Sequence, residues 1–141
     1  MEVHAGWGIE DKIAVVGLPD AAVRERKDRV TTAICNSALR WLSGKRITIN
    51  LAPADVRKEG PSFDLPIALG MLKLEAENRV PDLESFCISG ELALSGELRP
   101  VKGVLSIALE ARRRNRQTLM CHFRTPRRLR GVEGLDVYGA R

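Results

Sequence analysis

Aromatic residues are scarce in this sequence. Two tryptophans, one tyrosine and three phenylalanines make up 4% of 141 residues. Stacking of bases on ring faces, a common way of holding single-stranded nucleic acid, is therefore poorly provided for. Histidine occurs only at His4 and His122, and cysteine only at Cys35, Cys87 and Cys121, with no CxxC pair. No cluster has the spacing of zinc ligands, so no metal site is expected. An odd number of widely spaced cysteines, each beside apolar residues, reads as reduced core thiols of a cytoplasmic protein. No apolar run approaches the ~20 residues needed to cross a bilayer. No basic-then-apolar leader opens the chain, which argues against secretion.

Nucleotide-binding glycine patterns are missing as well. Ser43-Gly44-Lys45-Arg46 imitates the end of a phosphate-cradling loop. Leu39 stands where the first glycine belongs, and Arg46 where a serine or threonine should hold magnesium. ATP hydrolysis is therefore not expected of these residues. Gly6-Trp7-Gly8 lacks the third glycine of a dinucleotide fingerprint. A Ser-His-Asp triad needs a histidine within reach of a serine. His4 lies at a terminus, and His122 closes a strand, where a core or edge role is expected.

What remains is the balance of a globular domain: 44% hydrophobic and 29% charged residues. The length fits one domain over residues 1–141, able to bury a core without a disulfide or metal. The net charge of +5 is unevenly placed. From Arg112 to Arg141 there are nine arginines against two acids, Glu133 and Asp136. Such a surface can meet phosphates, but it can equally be a solvated face or a dock for an acidic neighbour.

Ile13–Val16 reads as a strand, broken by Gly17-Leu18-Pro19-Asp20, with proline or aspartate suited to the first turn of a helix. Val23, Val30, Ile34, Ala38 and Trp41 then mark an apolar helical stripe. The run from Arg24 to Arg29 is its predicted wet face, and Ser43-Gly44 its end. Ile47, Ile49 and Leu51 alternate with polar residues as in a half-buried strand. A polar loop over 52–61 leads to a helix over 63–76, apolar nearly all round. Strands are predicted at 86–89 and 91–94. Ser95-Gly96 then turns into a strand over 97–101. A helix over 103–114 carries Val104, Ile107, Ala108 and Ala111 on one side, and its closing arginines suit the dipole. A strand at 118–121, a short helix at 125–129 and a strand at 135–138 complete an α/β sandwich, helices on a mixed sheet. Both termini lie close to a strand, as in a trimmed domain.

Three blocks carry a resemblance: Val15–Val30 (VVGLPDAAVRERKDRV), Ile47–Gly70 (ITINLAPADVRKEGPSFDLPIALG) and Ser89–Arg113 (SGELALSGELRPVKGVLSIALEARR). They resemble the N-terminal domain of ComM/YifB-like proteins, the magnesium chelatase family of AAA+ ATPases. The resemblance implies a Lon-protease-like fold of the ribosomal protein S5 domain 2-like class. Members of the family begin with a further strand, which the resemblance implies is shortened or missing here.

Lon peptidases use a Ser–Lys dyad, the lysine activating the serine. By this resemblance Gly60-Pro61-Ser62-Phe63-Asp64 matches the serine motif, with Ser62 at the nucleophile position. The lysine position falls on Leu105, counted from Pro100, and leucine cannot accept a proton. Lys102 lies three residues earlier, at the turn into the helix. A helix N-cap explains Ser62 without catalysis, and the dipole favours Glu59 and Asp64 near that helix start. Asp55, Arg57, Lys58 and Glu59 form a charged loop that can pair locally or with a neighbouring subunit. The expectation is a non-catalytic accessory or assembly domain supporting a DNA-handling motor, of the kind associated with branch migration and natural transformation. The alternative is a Lon-like serine peptidase, or its remnant, using Ser62. Magnesium chelation belongs to the family label, and nothing in these residues performs it. Implied partners are a downstream AAA+ domain, which would hold ATP and magnesium, sibling subunits of a homo-hexamer, and DNA. Arg112, Arg113, Arg114, Arg127, Arg128 and Arg130 are the candidate phosphate contacts.

Overall fold

In a computed structural model, residues 1–7, 13–17, 20–39, 45–51, 60–76, 82–125, 129 and 132–141 are described. The alternation at Ile47, Ile49 and Leu51 becomes β3 (Lys45–Asn50) and the residue after it. All three side chains are 1% exposed, the floor of the main core. Two strands flank β3. On one side runs β1 (Glu2–Trp7), antiparallel, with Glu2 opposite Asn50 and Trp7 opposite Lys45. On the other runs β2 (Ile13–Val16), parallel to β3 and joined to it through α1 (Asp20–Asn36).

The first strand is therefore present, over six residues, and not missing. It was hard to read because it is an edge strand with only Val3 half-buried among its described side chains. Val3 packs against Gly70 of α2 (Asp64–Ala76), so closely that a β-carbon there would collide with its methyl group.

Helix α1 ends at Asn36, five residues before Trp41. Ser37 caps it by donating from its hydroxyl to the Ala33 carbonyl, at 2.7 Å. Ala38 then turns left-handed at φ 54°, and the Asn36 amide ties the helix end to the Leu94 carbonyl at 2.7 Å. Ala38 is exposed rather than part of the stripe, and Trp41 lies outside the described residues. The buried stripe consists of Arg26, Val30, Ala33 and Ile34. The predicted wet face is thus partly internal, because Arg26 occupies a stripe position.

Beyond α2, β4 (Phe86–Ile88) leads into a hairpin of β5 (Glu91–Leu92) and β6 (Leu98–Arg99). Gly96 closes the hairpin at φ 91°, where only glycine is unstrained, and lies against Ser37, the residue after α1. Helix α3 (Val104–Arg113) follows, then β7 (Thr118–His122) and β8 (Asp136–Ala140). The second sheet has the order β4-β7-β8, all parallel. The mixed α/β reading stands, but the single mixed sheet is replaced by two three-stranded sheets and a two-stranded ribbon. Of the short helix expected at 125–129, residues 126–128 lie outside the described residues; Thr125 is a bend and Leu129 is in no helix.

The core is in two parts. One lies between α1, α2, β3 and the β5–β6 ribbon, around Ile49, Leu65, Met71 and Leu98. The other joins α3 to β7, with Ala108 and Leu119 fully buried beside Leu129 and Val132. Cys121 belongs to the second core, but Cys35 is exposed and Cys87 only half-buried, so the expectation of three core thiols fails for Cys35. No described helix is long and apolar enough to cross a membrane.

Because Ile49 lies at the centre of the first core, Ile49→Ala should destabilise the domain by roughly 2–5 kcal/mol. Arg46→Ala, at an exposed position of the same strand, should change stability by less than about 0.5 kcal/mol. Urea unfolding of the two variants checks both.

Candidate functional site

The sequence motif Gly60–Asp64 sits where α1, α2 and the β5–β6 ribbon meet, and two arginines of α1 hold it there. Arg29 donates from Nε to Asp64 Oδ2 at 2.7 Å and from Nη1 to Glu25 at 2.8 Å. Asp64 has no exposed surface, and its Oδ2 also accepts from the Leu92 N–H at 3.3 Å. One carboxylate therefore fastens α2 to both α1 and β5. Burial pushes the Asp64 carboxyl above the usual aspartate range, against the opposing pull of Arg29 and Arg26. Asp64 does stand in the first turn of α2, as the dipole reading expects, and it is in addition the fully buried half of an ion pair with Arg29.

Arg26 is 4% exposed. Its Nη2 donates to the Gly60 carbonyl at 2.9 Å, and its guanidinium lies 5.4 Å from the centre of the Phe63 ring. Burial pulls its pKa below the usual arginine value while Asp64 pulls the other way. Nε and Nη1 have no partner among the described residues. Gly60 itself stands at φ 75°, which glycine adopts without strain.

Ser62 lies in the middle of a 3-10 turn, Pro61–Phe63, that precedes α2. It is not the side-chain cap of the helix expected from the sequence, because Asp64 already starts α2 and the turn intervenes. Its carbonyl accepts from the Gly90 N–H at 3.1 Å, and Leu65 in turn donates to the Gly90 carbonyl at 3.1 Å. Ser62 is half-buried. The lysine position, Leu105, is 49% exposed on α3. The neighbours of Ser62, Phe63 and Leu65, pack in the first core, whereas the inner face of α3 packs in the second. Lys102 is exposed at the turn into α3. Asp55, Arg57, Lys58 and Glu59 lie outside the described residues.

The arginine-rich surface is partly neutralised. Glu110 accepts from Arg113 at 2.7 and 2.9 Å and from Arg114 at 2.6 Å. The two guanidiniums hold its carboxyl down at about 2. Arg112 is exposed and has no acidic partner among the described residues. Arg116 donates to the Glu84 carbonyl. Arg127, Arg128 and Arg130 lie outside the described residues.

One grouping was not foreseen. Arg124 and Arg141 lie 5.5 and 4.5 Å from the ring centre of Phe123, which is 37% exposed. The His122 ring is 4.5 Å away, and His122 Nδ1 accepts from the Arg124 N–H at 3.3 Å. Burial and Arg124 hold the His122 imidazole below its usual pKa. The residue signal was weak, since Arg141 reaches Phe123 only because β8 runs beside β7, where Phe123 donates to the Ala140 carbonyl at 2.8 Å.

Comparison with known proteins gives a consistent set of relatives. A family model described as subunit ChlI of Mg-chelatase matches residues 1–124. The uncharacterized protein YifB of Salmonella typhimurium is 45% identical over 120 residues, covering 85% of this chain and 23% of that protein. YifB of Escherichia coli is 43% identical and the competence protein ComM of Haemophilus influenzae 42%, with the same coverage. The chain thus spans about a quarter of the length of these relatives.

Removing the cation from a fully buried carboxylate leaves that charge without its salt-bridge partner. Arg29→Met should therefore cost about 3 kcal/mol in urea unfolding, with most of the loss recovered if Asp64 is replaced by asparagine as well. For Glu110 the folded pKa lies below the ordinary 4.5. Its ion pairs are thus intact above that value and are lost as pH falls toward about 2. Carboxyl NMR titration should place Glu110 near about 2 and return it toward 4.5 in an Arg113→Gln/Arg114→Gln variant.

Proposed function

The chain belongs to the family of the ChlI subunit of Mg-chelatase, and from that membership we propose that it is a non-catalytic accessory or assembly domain of a ComM-like ATPase. The observation that carries the reading is the 42% identity to a competence protein over 120 residues. In the whole protein the domain would accompany a AAA+ motor that holds ATP and magnesium, assemble with sibling subunits into a hexamer in the cytoplasm, and support DNA handling in branch migration and natural transformation. We infer further that its fold is of the Lon-protease-like, ribosomal protein S5 domain 2-like class. The mixed strand pairing around β3 and the parallel β4-β7-β8 sheet support that assignment.

Two features favour the non-catalytic reading over the peptidase. A leucine stands at the dyad lysine position. Phe63 and Leu65, beside Ser62, pack in one core, and the inner face of α3 packs in the other. The serine motif then acts as a buried joint, held by Arg26 and Asp64.

DNA contact, in this proposal, falls on the arginine-rich C-terminal segment of the sequence: Arg112, Arg113 and Arg114, then Arg127, Arg128 and Arg130, together with Arg124 and Arg141. Arg113 and Arg114 share Glu110 and contribute less than arginines without an acid. The contact is to phosphates and carries no sequence preference of its own. With about four phosphate contacts, affinity for a duplex oligonucleotide should fall roughly a hundredfold between about 50 and 200 mM salt. Replacing Arg127, Arg128 and Arg130 with glutamine should weaken binding and flatten that slope. No binding at low salt, or binding indifferent to those replacements, would sink the DNA half of the proposal.

A further inference from the structure

The outer face of α3 carries a feature that phosphate contact leaves unexplained. Val104, Ala108 and Ala111 turn inward and are buried. Leu105 and Leu109 turn outward and are 49% and 52% exposed. At a spacing of four they lie one above the other. The other large exposed apolar residues, among the described ones, are Met1, Val16, Leu39, Leu94, Phe123 and Tyr138, each on a strand, a turn or a terminus. Leu105 and Leu109 are thus the described pair that shares a helix face. Scattered exposed leucines need no account, but a contiguous pair framed by charge does.

The frame is basic. Arg112 continues the stripe one turn after Leu109, and Lys102 is exposed at the turn into the helix. The acid of this helix, Glu110, is already engaged by Arg113 and Arg114. A row of i and i+4 side chains forms a ridge that fits the groove of another helix.

We propose that this face docks an amphipathic helix of a protein partner, apolar along its centre and lined by aspartate or glutamate at its edges. Charge complementarity selects that occupant. A second copy of this chain would bring Lys102 and Arg112 against their own equivalents, an arrangement that like charges oppose. Nucleic acid would satisfy Lys102 and Arg112 but leave both leucines in water, so it gives no reason for them. The inference rests on α3 alone and holds whether or not the arginine surface binds DNA.

The probe is a synthetic helical peptide with a leucine stripe flanked by glutamates, added to the chain labelled at its leucine methyl groups. Binding should shift the Leu105 and Leu109 methyl signals. A Leu105→Ser/Leu109→Ser variant should bind at least tenfold more weakly by fluorescence anisotropy. Its thermal melting should be unchanged, because both side chains are already exposed. Arg112→Gln should weaken binding less than the double serine variant. A control peptide with lysines in place of the glutamates should leave both methyl signals unmoved. Three results would overturn the proposal: no shift with the acidic peptide, equal shifts with the lysine peptide, or concentration-dependent shifts without peptide, the last of which would assign the face to self-association.

Discussion

The carboxylate of Asp64 is wholly removed from water, and the placing of the surrounding elements follows from how that charge is met. A buried carboxylate is tolerable only when paired and hydrogen-bonded. Arg29 supplies the pair and the Leu92 N–H a further bond. These partners come from α1 and β5, so satisfying one acid fixes three elements together. Arg26 extends the same joint by holding the Gly60 carbonyl and covering Phe63. Specificity of packing is the benefit that fits this arrangement. Apolar residues of equal volume would hold such a junction at least as strongly, but would fix its register less.

That constraint changes the meaning of the serine motif. Read by resemblance, the stretch Gly60–Asp64 is the remnant of a peptidase site. In the structure its glycine, phenylalanine and aspartate each have a mechanical duty, and Ser62 sits between them in a short turn. The position where a dyad lysine would stand is a half-exposed leucine. Among the described residues, Arg112 on the last turn of α3, and Arg124 and Arg141 around Phe123, are exposed cations away from that position.

Much of the fold was legible because apolar periodicity reports burial directly. Ile47, Ile49 and Leu51 declared β3, and Val104, Ala108 and Ala111 declared the inner face of α3. The misread face of α1 has one cause: burial that did not use apolar residues. The stripe of α1 was drawn from Val23 to Val30 across a gap, and Arg26 fills that gap. The run Arg24–Arg29 looked like a wet face because charge normally marks solvent, and periodicity carries no record of a partner 35 positions away. An aspartate opening an otherwise apolar helix was the available signal. The edge strand β1 was underestimated because its partner satisfies the backbone while its described side chains remain largely in water. Phe123 with Arg124 and Arg141 could not be foreseen, since only the pairing of β7 and β8 brings them together.

The central claim is that Ser62 belongs to a structural joint and not to a reactive centre. A fluorophosphonate probe, which labels activated serines, tests it most directly on the chain and on its Ser62→Ala variant. Both should show the same background labelling, with no modified peptide spanning residues 60–64. Labelling of Ser62 in the unaltered chain, abolished by the alanine substitution, would contradict the account and restore the peptidase reading.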